Sequence, residues 1–527
     1  MGNAAGTACS PCVLIGYCCT KETDMRRGTN GRIAMVVAGT LFLMSAACAS
    51  PQQPAPESSG HPGVEALSSS QALERLLERT PPNPTPGGTA PSFVPDPGWP
   101  KPLPNNWIIG EVGGLIVDSH DHIWVYHRPR SLDSTSAGAL GEAGKDAEGR
   151  PISAIGHPRP YGQLSGCCVP APSVLEFDRE GNLIQAWGGP SDPGFLEEQC
   201  RTEDGCYWPG REHGIFVDHN DNVWVGGNGD IPRGTNSGDY PWAANFGGDD
   251  SQILKFRSDG TFVLQIGTQG MLGPDSNDTN GGVNGTPQVY LPSDFTVDPE
   301  SNILYIADGY GNRRVLMVDA ETGQYIGHFG AYGQNPVIGE STDAAYGGAW
   351  AADFRRGEMT PKFFRSPLHC AELSNDGFLY VCDRGNNRVQ VFDASEIGKP
   401  CDNPDGEVGK CGFVGEVHVA PQTAGGTSGS LTFSRDPEQS CLYVADLDNF
   451  TVYAIDRKTL QEIDRVGSGG RGLGQLYWPH AVTTDSDGNF YVGEVNGNGN
   501  IQKFLRYGAV GCSGTGNAEV GAYRATS

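Results

Sequence analysis

Basic side chains are scarce in this chain. Its 527 residues hold 36 Lys and Arg against 62 Asp and Glu, a formal net charge of −26. No Lys/Arg cluster occurs in the part expected to fold. Binding phosphate backbones or anionic membrane surfaces needs basic stripes, so nucleic acid is excluded as a partner. Comfortable membrane spans are missing too: the apolar run Ile33 to Ala47 is too short for one. No cysteines have the spacing of a zinc-thiolate site. Charged residues of all kinds make up only 19%. What the chain has instead is glycine, 76 residues of it. That is too much for a helical protein and suits an all-β fold with many tight turns.

The N-terminus reads as an address. Arg26, Arg27 and Arg32 precede the apolar run, and small residues and Cys48 follow it. This is the order of a signal peptide. Residues 1–48 are therefore expected to be an export segment, with Met25 a candidate start in place of Met1. Ser45-Ala46-Ala47-Cys48 allows either lipidation of Cys48 or plain cleavage near Ala47 or Ala49, and both stay open. Residues 49–104, rich in Pro and Ser, are expected to be a disordered linker. The mature protein is then periplasmic, secreted or lipid-anchored, touching a membrane only through Cys48. Ten cysteines follow Cys48, an even count that reads as disulfides. Cys200/Cys206 and Cys401/Cys411 stand at bridgeable spacing; Cys167-Cys168 has no account.

One pattern then recurs six times: an apolar strand, a turn of Asp, Asn and Gly, and a second strand of the type WV or YV. The copies run from Gly114 to His127, Gly214 to Gly226, Asp294 to Gly309, Cys370 to Arg384, Leu431 to Leu447 and Ala481 to Val495. Each alternates β-branched and aromatic residues around a turn signal, which is a hairpin. A third strand follows most copies, as in Val174-LEFD or Val389-QVFD, and several show a fourth. Four short strands repeated six times predict an all-β, six-bladed β-propeller over 105–510, followed by a tail at 511–527. Trp107-Ile108-Ile109 is expected to close the ring on the last blade.

In a propeller the first strand of each blade lines the central channel. The residue just before that strand is Gly113, His213, Ser293, His369, Ser430 and His480 in turn. Histidines thus fall in blades 2, 4 and 6, related by about 120° around the axis. Three converging imidazoles leave one or more positions open on a metal; zinc suits them, and iron, cobalt, copper or manganese are other candidates. A second register follows the second strand and brings His127-Arg128, Asp308-Gly309-Tyr310 and Asp383-Arg384 over the same end. Guanidiniums there suit a carboxylate substrate. A tyrosine beside a dication and arginines suits a base. Asp308 and Asp383 are expected to tie turns, and Arg314 and Arg388 to brace blades.

The repeat is identified as the NHL type, and its residues resemble one NHL-propeller family, the peptidyl-α-hydroxyglycine α-amidating lyases. The matching stretches are Val117-DSHDHIWVYHR, Glu212-HGIFVDHNDNVWV, Asp308-GYGNRRV, Cys382-DRGNNRVQVF and Trp478-PHAVTTDSDGNFYVGEV. Hairpins alone would suit any NHL protein; HR, EHG, DGY, DR and PH in that order are more specific. The resemblance implies zinc held by His213, His369 and His480. It implies that Tyr310 deprotonates the substrate hydroxyl and that Arg128 and Arg384 stabilise tyrosine and substrate. The implied reaction splits the C–N bond of an N-acyl-α-hydroxyglycine into an amide and glyoxylate. Ala481 stands where the family has a calcium-binding aspartate, so a Ca2+ site would lack that ligand, and Gly311 replaces a family cysteine. Residues 129–172 and 227–250 are insertions near the active end.

The expectation is a monomeric metal-dependent lyase acting on a small carboxylate-bearing or peptide-like substrate. The alternatives are a non-catalytic NHL binding module and a calcium-dependent lactonase or esterase-like propeller. The latter needs Glu, Asn and Asp on the axis, where this chain has histidines.

Overall fold

The structure is a computed structural model. It describes residues 90–132, 142–145, 151–153, 169–189, 200, 204–229, 250–270, 278–334, 336, 363–397, 412–423, 426–495, 500–512 and 522–524. The expected export segment with Cys48 lies outside these residues, as do Cys167, Cys168, Cys401 and Cys411 and most of both insertions.

Six antiparallel sheets carry the six repeats. Blade 1 comprises Glu111–Val117, Ile123–Arg128, Val174–Phe177 and Leu183–Trp187. Blade 2 comprises Glu212–Val217, Asn222–Gly227, Gln252–Arg257 and Phe262–Gly267. Blade 3 comprises Asp294–Val297, Ile303–Asp308, Arg314–Asp319 and Tyr325–Phe329. Blade 4 comprises Cys370–Leu373, Phe378–Asp383, Arg388–Asp393 and Phe413–His418. Blade 5 comprises Ser430–Phe433, Cys441–Asp446, Thr451–Asp456 and Gln461–Val466. Blade 6 comprises Pro479–Thr484, Phe490–Glu494 and Ile501–Gly508, with Pro91–Pro95 as its outer strand. The first strands touch in sequence from blade 1 to blade 6, and blade 6 touches blade 1 again, so the ring is closed.

The hairpins follow from the turn chemistry in the sequence. Asp118 accepts hydrogen bonds from the backbone N–H groups of His120 and His122, and Asp218 from those of Asn220 and Asn222. The other carboxylate oxygen of each accepts from the indole of Trp124 or Trp224, and Asp485 accepts likewise from the Tyr491 hydroxyl. One aspartate thus caps the turn and fixes the aromatic two residues into the next strand. Those three aromatics are almost wholly buried and belong to three of six apolar clusters, one in each gap between neighbouring blades. Burial on the order of 2–3 kcal/mol for each large side chain holds the blades together.

Two boundaries differ from the sequence reading. Ring closure comes from Pro91–Pro95, which pairs antiparallel with Ile501–Gly508, inside the segment read as linker. Trp107–Ile108 instead pairs parallel with Val169–Pro170. A proline lacks an N–H donor, yet an outermost strand needs only one of its edges, so PSFVP serves there. The tail is also tied back. Cys512 bonds Cys441, and Ala522–Arg524 adds a fifth strand to blade 4. Cys200–Cys206 is bridged as its spacing suggested, and Cys370–Cys382 joins the first two strands of blade 4.

Candidate metal centre

The strand ladder slips where the channel is lined. Pairing skips Gly113 in blade 1, Gly214 in blade 2 and His480 in blade 6. Such bulges re-aim a side chain out of the pleat. Gly214 takes φ +75°, and a Cβ there would lie 2.6 Å from the Ser293 carbonyl oxygen, so blade 2 needs glycine beside His213.

The three axial histidines meet. Their ring centroids are 4.7 Å (His213–His480), 4.9 Å (His213–His369) and 5.0 Å (His369–His480) apart. All three are at most 5% exposed. One nitrogen from each lies within 4.8 Å of the others, and the Nε2 atoms of His213 and His480 are 3.1 Å apart. Their tautomers follow from the other ring nitrogen. His213 Nδ1 faces the Ser293 carbonyl oxygen at 2.5 Å, and His369 Nδ1 faces that of Gly429. A ring nitrogen against a carbonyl must carry the proton, so both Nε2 atoms present lone pairs to the axis. His480 Nδ1 is buried without a partner. Burial, reinforced by neighbouring positive groups, holds all three imidazoles well below their ordinary pKa and thus neutral.

Lone pairs crowded at 3.1 Å repel unless a proton or cation lies between them. Zinc–nitrogen bonds of about 2.0–2.1 Å at tetrahedral angles put ligand nitrogens roughly 3.3 Å apart, so the set fits a divalent transition ion.

Tyr310 stands over the triad. Its hydroxyl is 3.1 Å from His369 Nε2 and 3.4 Å from His213 Nε2. It follows the second strand of blade 3, in a loop pressed against blade 4. A Cβ on Gly309 would fall 1.6 Å from the Leu368 carbonyl oxygen, and one on Gly311 1.8 Å from the Tyr290 ring. Gly311 is therefore a packing requirement where the resemblance has a cysteine. The Ser366 hydroxyl holds the Tyr310 carbonyl, and Tyr310 N–H donates to Leu291.

Arg128 is buried rather than presented at the mouth. Its Nε donates to the Glu212 carbonyl and its NH1 to Glu111, its strand partner, at 2.9 Å. Burial lowers its pKa, followed by repulsion from Arg211, while Glu111 and Tyr310 raise it. Its charge therefore reaches the phenol. Arg384 stacks 5.9 Å over the Trp478 ring, and its charge acts on His369 and His480. His127 is structural: Nδ1 accepts from Gly110 N–H, and Nε2 faces the Pro172 carbonyl. Asp308 and Asp383 tie their turns as expected, bonding Arg314 and Asn312, and Arg388 and Asn386. Arg388 also bridges Glu416 and Tyr332.

Several groups escaped the sequence reading. Glu111 precedes the first hairpin copy by three residues, outside the repeat pattern. Arg211 lies two residues before His213, and its charge acts on it. Asp294 and Glu372 line the channel behind the histidines. Burial pushes Asp294 up to about 8, and burial plus the Asp294 charge pushes Glu372 well up. Asp118, His122 and Glu176 cluster on blade 1, where His122 Nδ1 lies 2.7 Å from Glu176. The signal for the channel carboxylates was present, since Asp294 follows the axial Ser293 directly.

The NHL repeat family matches residues 369–392, which span the first three strands of blade 4. Among solved structures, a streptogramin B lyase is similar at 12% identity over 76% of this chain and 94% of that one, with a TM-score of 0.36. A structural genomics protein of unknown function from Bacteroides thetaiotaomicron VPI-5482 is similar at 12% identity over 76% of this chain and 70% of that one, with a TM-score of 0.38. The chain is thus an all-β, six-bladed propeller containing an NHL repeat. Its disulfides fit export, and no helix among the described residues is long and apolar enough to cross a membrane.

Proposed function

We propose that this protein is a metal-dependent carbon–nitrogen lyase that cleaves N-acyl-α-hydroxyglycine-like substrates to an amide and glyoxylate. The observation that carries this reading is the Tyr310 hydroxyl, 3.1 and 3.4 Å from two nitrogens of a converging, neutral three-histidine set. His213, His369 and His480 would hold a zinc-like ion, which supplies electrophilic polarisation of a substrate oxygen. The chain's own residues then divide the work. Tyr310 takes the proton from the substrate hydroxyl. The carbinol carbon becomes the aldehyde carbon of glyoxylate as its bond to nitrogen breaks. The electron pair of that bond leaves on the amide nitrogen, which Tyr310 or water reprotonates. Arg128, whose charge reaches the phenol, stabilises negative charge on the tyrosine oxygen. Arg384 flanks the centre from blade 4 and helps orient the anionic substrate.

The test uses α-hydroxyhippurate, a minimal carbinolamide, with metal-loaded protein. Glyoxylate should be released in a metal-dependent way. Release no faster than in buffer excludes this substrate class. Metal analysis separates the alternatives: one zinc-like ion per chain supports the lyase, calcium alone a lactonase-like hydrolase, and no metal a binding module.

A further inference from the structure

Arg128 of blade 1 donates to the Glu212 carbonyl, between Arg211 and His213, so arginines of two blades converge beside the axial position of blade 2. Arg128 is matched by Glu111 at 2.9 Å. Arg211 stands at the same register as Glu111, two residues before the axial position of the next blade. It is exposed, and no carboxylate among the described residues pairs with its guanidinium. At this register blades 4 and 6 have Pro367 and Trp478, and blades 3 and 5 have Leu291 and Ser428, so blade 2 alone supplies a cation.

The backbone of Arg211 is held on both sides. Its N–H donates to Asp250 Oδ2 at 2.9 Å, and its carbonyl accepts from Asn228 N–H at 3.0 Å. Asp250 also receives the N–H groups of Gly210 at 2.7 Å and Gly229 at 2.6 Å. The loop packs so closely that a Cβ on Gly229 would lie 3.1 Å from Arg211 N and 3.3 Å from Arg211 Cβ. A buried carboxylate thus spends three hydrogen bonds on fixing the base of an exposed arginine. Its charge lies beside that of Arg128, whose Nε donates to the carbonyl of the adjoining Glu212 at 2.8 Å. An unmatched cation beside a like charge does not stabilise the fold, but it does prepare a site for an anion.

We propose that Arg211 is the residue that receives the carboxylate of the substrate, and that it sets the preference for anionic over neutral substrates. Arg128, held by Glu111 and the Glu212 carbonyl, then serves Tyr310. Anion capture at Arg211 rests on the lyase reading only for the identity of the molecule captured.

Titration calorimetry on metal-loaded protein tests it with hippurate, which has the carboxylate and no hydroxyl, and hippuramide, its neutral counterpart. Hippurate should bind wild type more tightly than hippuramide. Arg211→Gln should weaken hippurate about tenfold or more, leave hippuramide unchanged, and keep metal content and melting temperature; Arg211→Lys should restore part of the loss. With α-hydroxyhippurate, Arg211→Gln should raise KM and leave kcat within about twofold, the pattern of lost binding common to ground and transition states. Equal hippurate affinity in Arg211→Gln and wild type overturns the assignment, as does a wild type that does not distinguish hippurate from hippuramide. If the charge preference disappears in Arg211→Gln while wild type releases no glyoxylate, the lyase reading falls and the anion site stands.

Discussion

Blades 2, 4 and 6 place imidazoles on the axis, whereas blades 1, 3 and 5 place Gly113, Ser293 and Ser430 there. The odd blades still contribute, through backbone. Blade 3 offers the Ser293 carbonyl to His213, and Gly429, leading into blade 5, offers its carbonyl to His369. Among the described residues blade 1 offers no such carbonyl to His480, whose Nδ1 has no hydrogen-bond partner there. The centre is therefore built from side chains of one set of blades, oriented by main chain of the other. Its weakest support lies at the seam between blade 6 and blade 1, where the ring is closed.

The division of labour between even and odd blades can be broken in graded steps. Replacing His213 and His480 together by alanine should abolish stoichiometric metal while circular dichroism still reports a folded propeller; full metal content in that variant would end the assignment. Tyr310→Phe comes next. It should keep its metal and lose roughly 10²-fold or more in glyoxylate release, the scale of a missing general base. Unchanged turnover would leave the substrate class intact and remove Tyr310 from its role. Single-ligand variants sharpen the seam. Losing a ligand whose far nitrogen is anchored should cost more than losing one that is not, so metal affinity should fall about tenfold further in His213→Ala or His369→Ala than in His480→Ala. A chelator competition series measures this, and equal losses would show that the carbonyls do not orient the ligands.

The smallest effect concerns the histidine of an odd blade. Burial pushes His127 down to about 4 from the ordinary 6.5. Between those values the unfolded chain binds the proton and the folded one does not, so stability falls as pH drops through that window. His127→Gln keeps an acceptor for Gly110 and a donor for Pro172 without the charge change. Its stability should decline less steeply from pH 7 to pH 5, by roughly 1–2 kcal/mol, in denaturant titrations of the metal-loaded protein. Parallel declines would mean that other groups govern the acid response.

Much of this arrangement is legible in the sequence. The hairpins announced themselves because turn aspartates and strand aromatics are local signals, as in Asp118 with Trp124 and Asp218 with Trp224. The histidine set was legible because a rotational repeat turns a sequence register into a place on the axis. Pairings outside the repeat were not. PSFVP reads as linker because its prolines argue against a central strand, and nothing local says that it lies at an edge. Arg128 read as a free guanidinium because its partner Glu111 sits 17 residues earlier, and only the antiparallel register brings the two together. Arg211 carried no motif; its meaning comes from the carboxylate that its neighbour blade has and it lacks.

The closing strand also sets an order of events during synthesis. Pro91 pairs with Gly508 and Val94 with Leu505, so the first described strand must wait for the last strand of blade 6 to be made. Joining them closes a loop of roughly 400 residues, whose extra entropy cost over a short loop grows only logarithmically. The delay is thus a matter of kinetics more than of final stability. All three axial histidines have been made before residue 501 exists, yet the ring that holds them together cannot shut. A chain that stalls or is cut in that interval carries every axial histidine and still exposes the unpaired edge of blade 6. Such an edge pairs readily with neighbouring chains before the channel is complete.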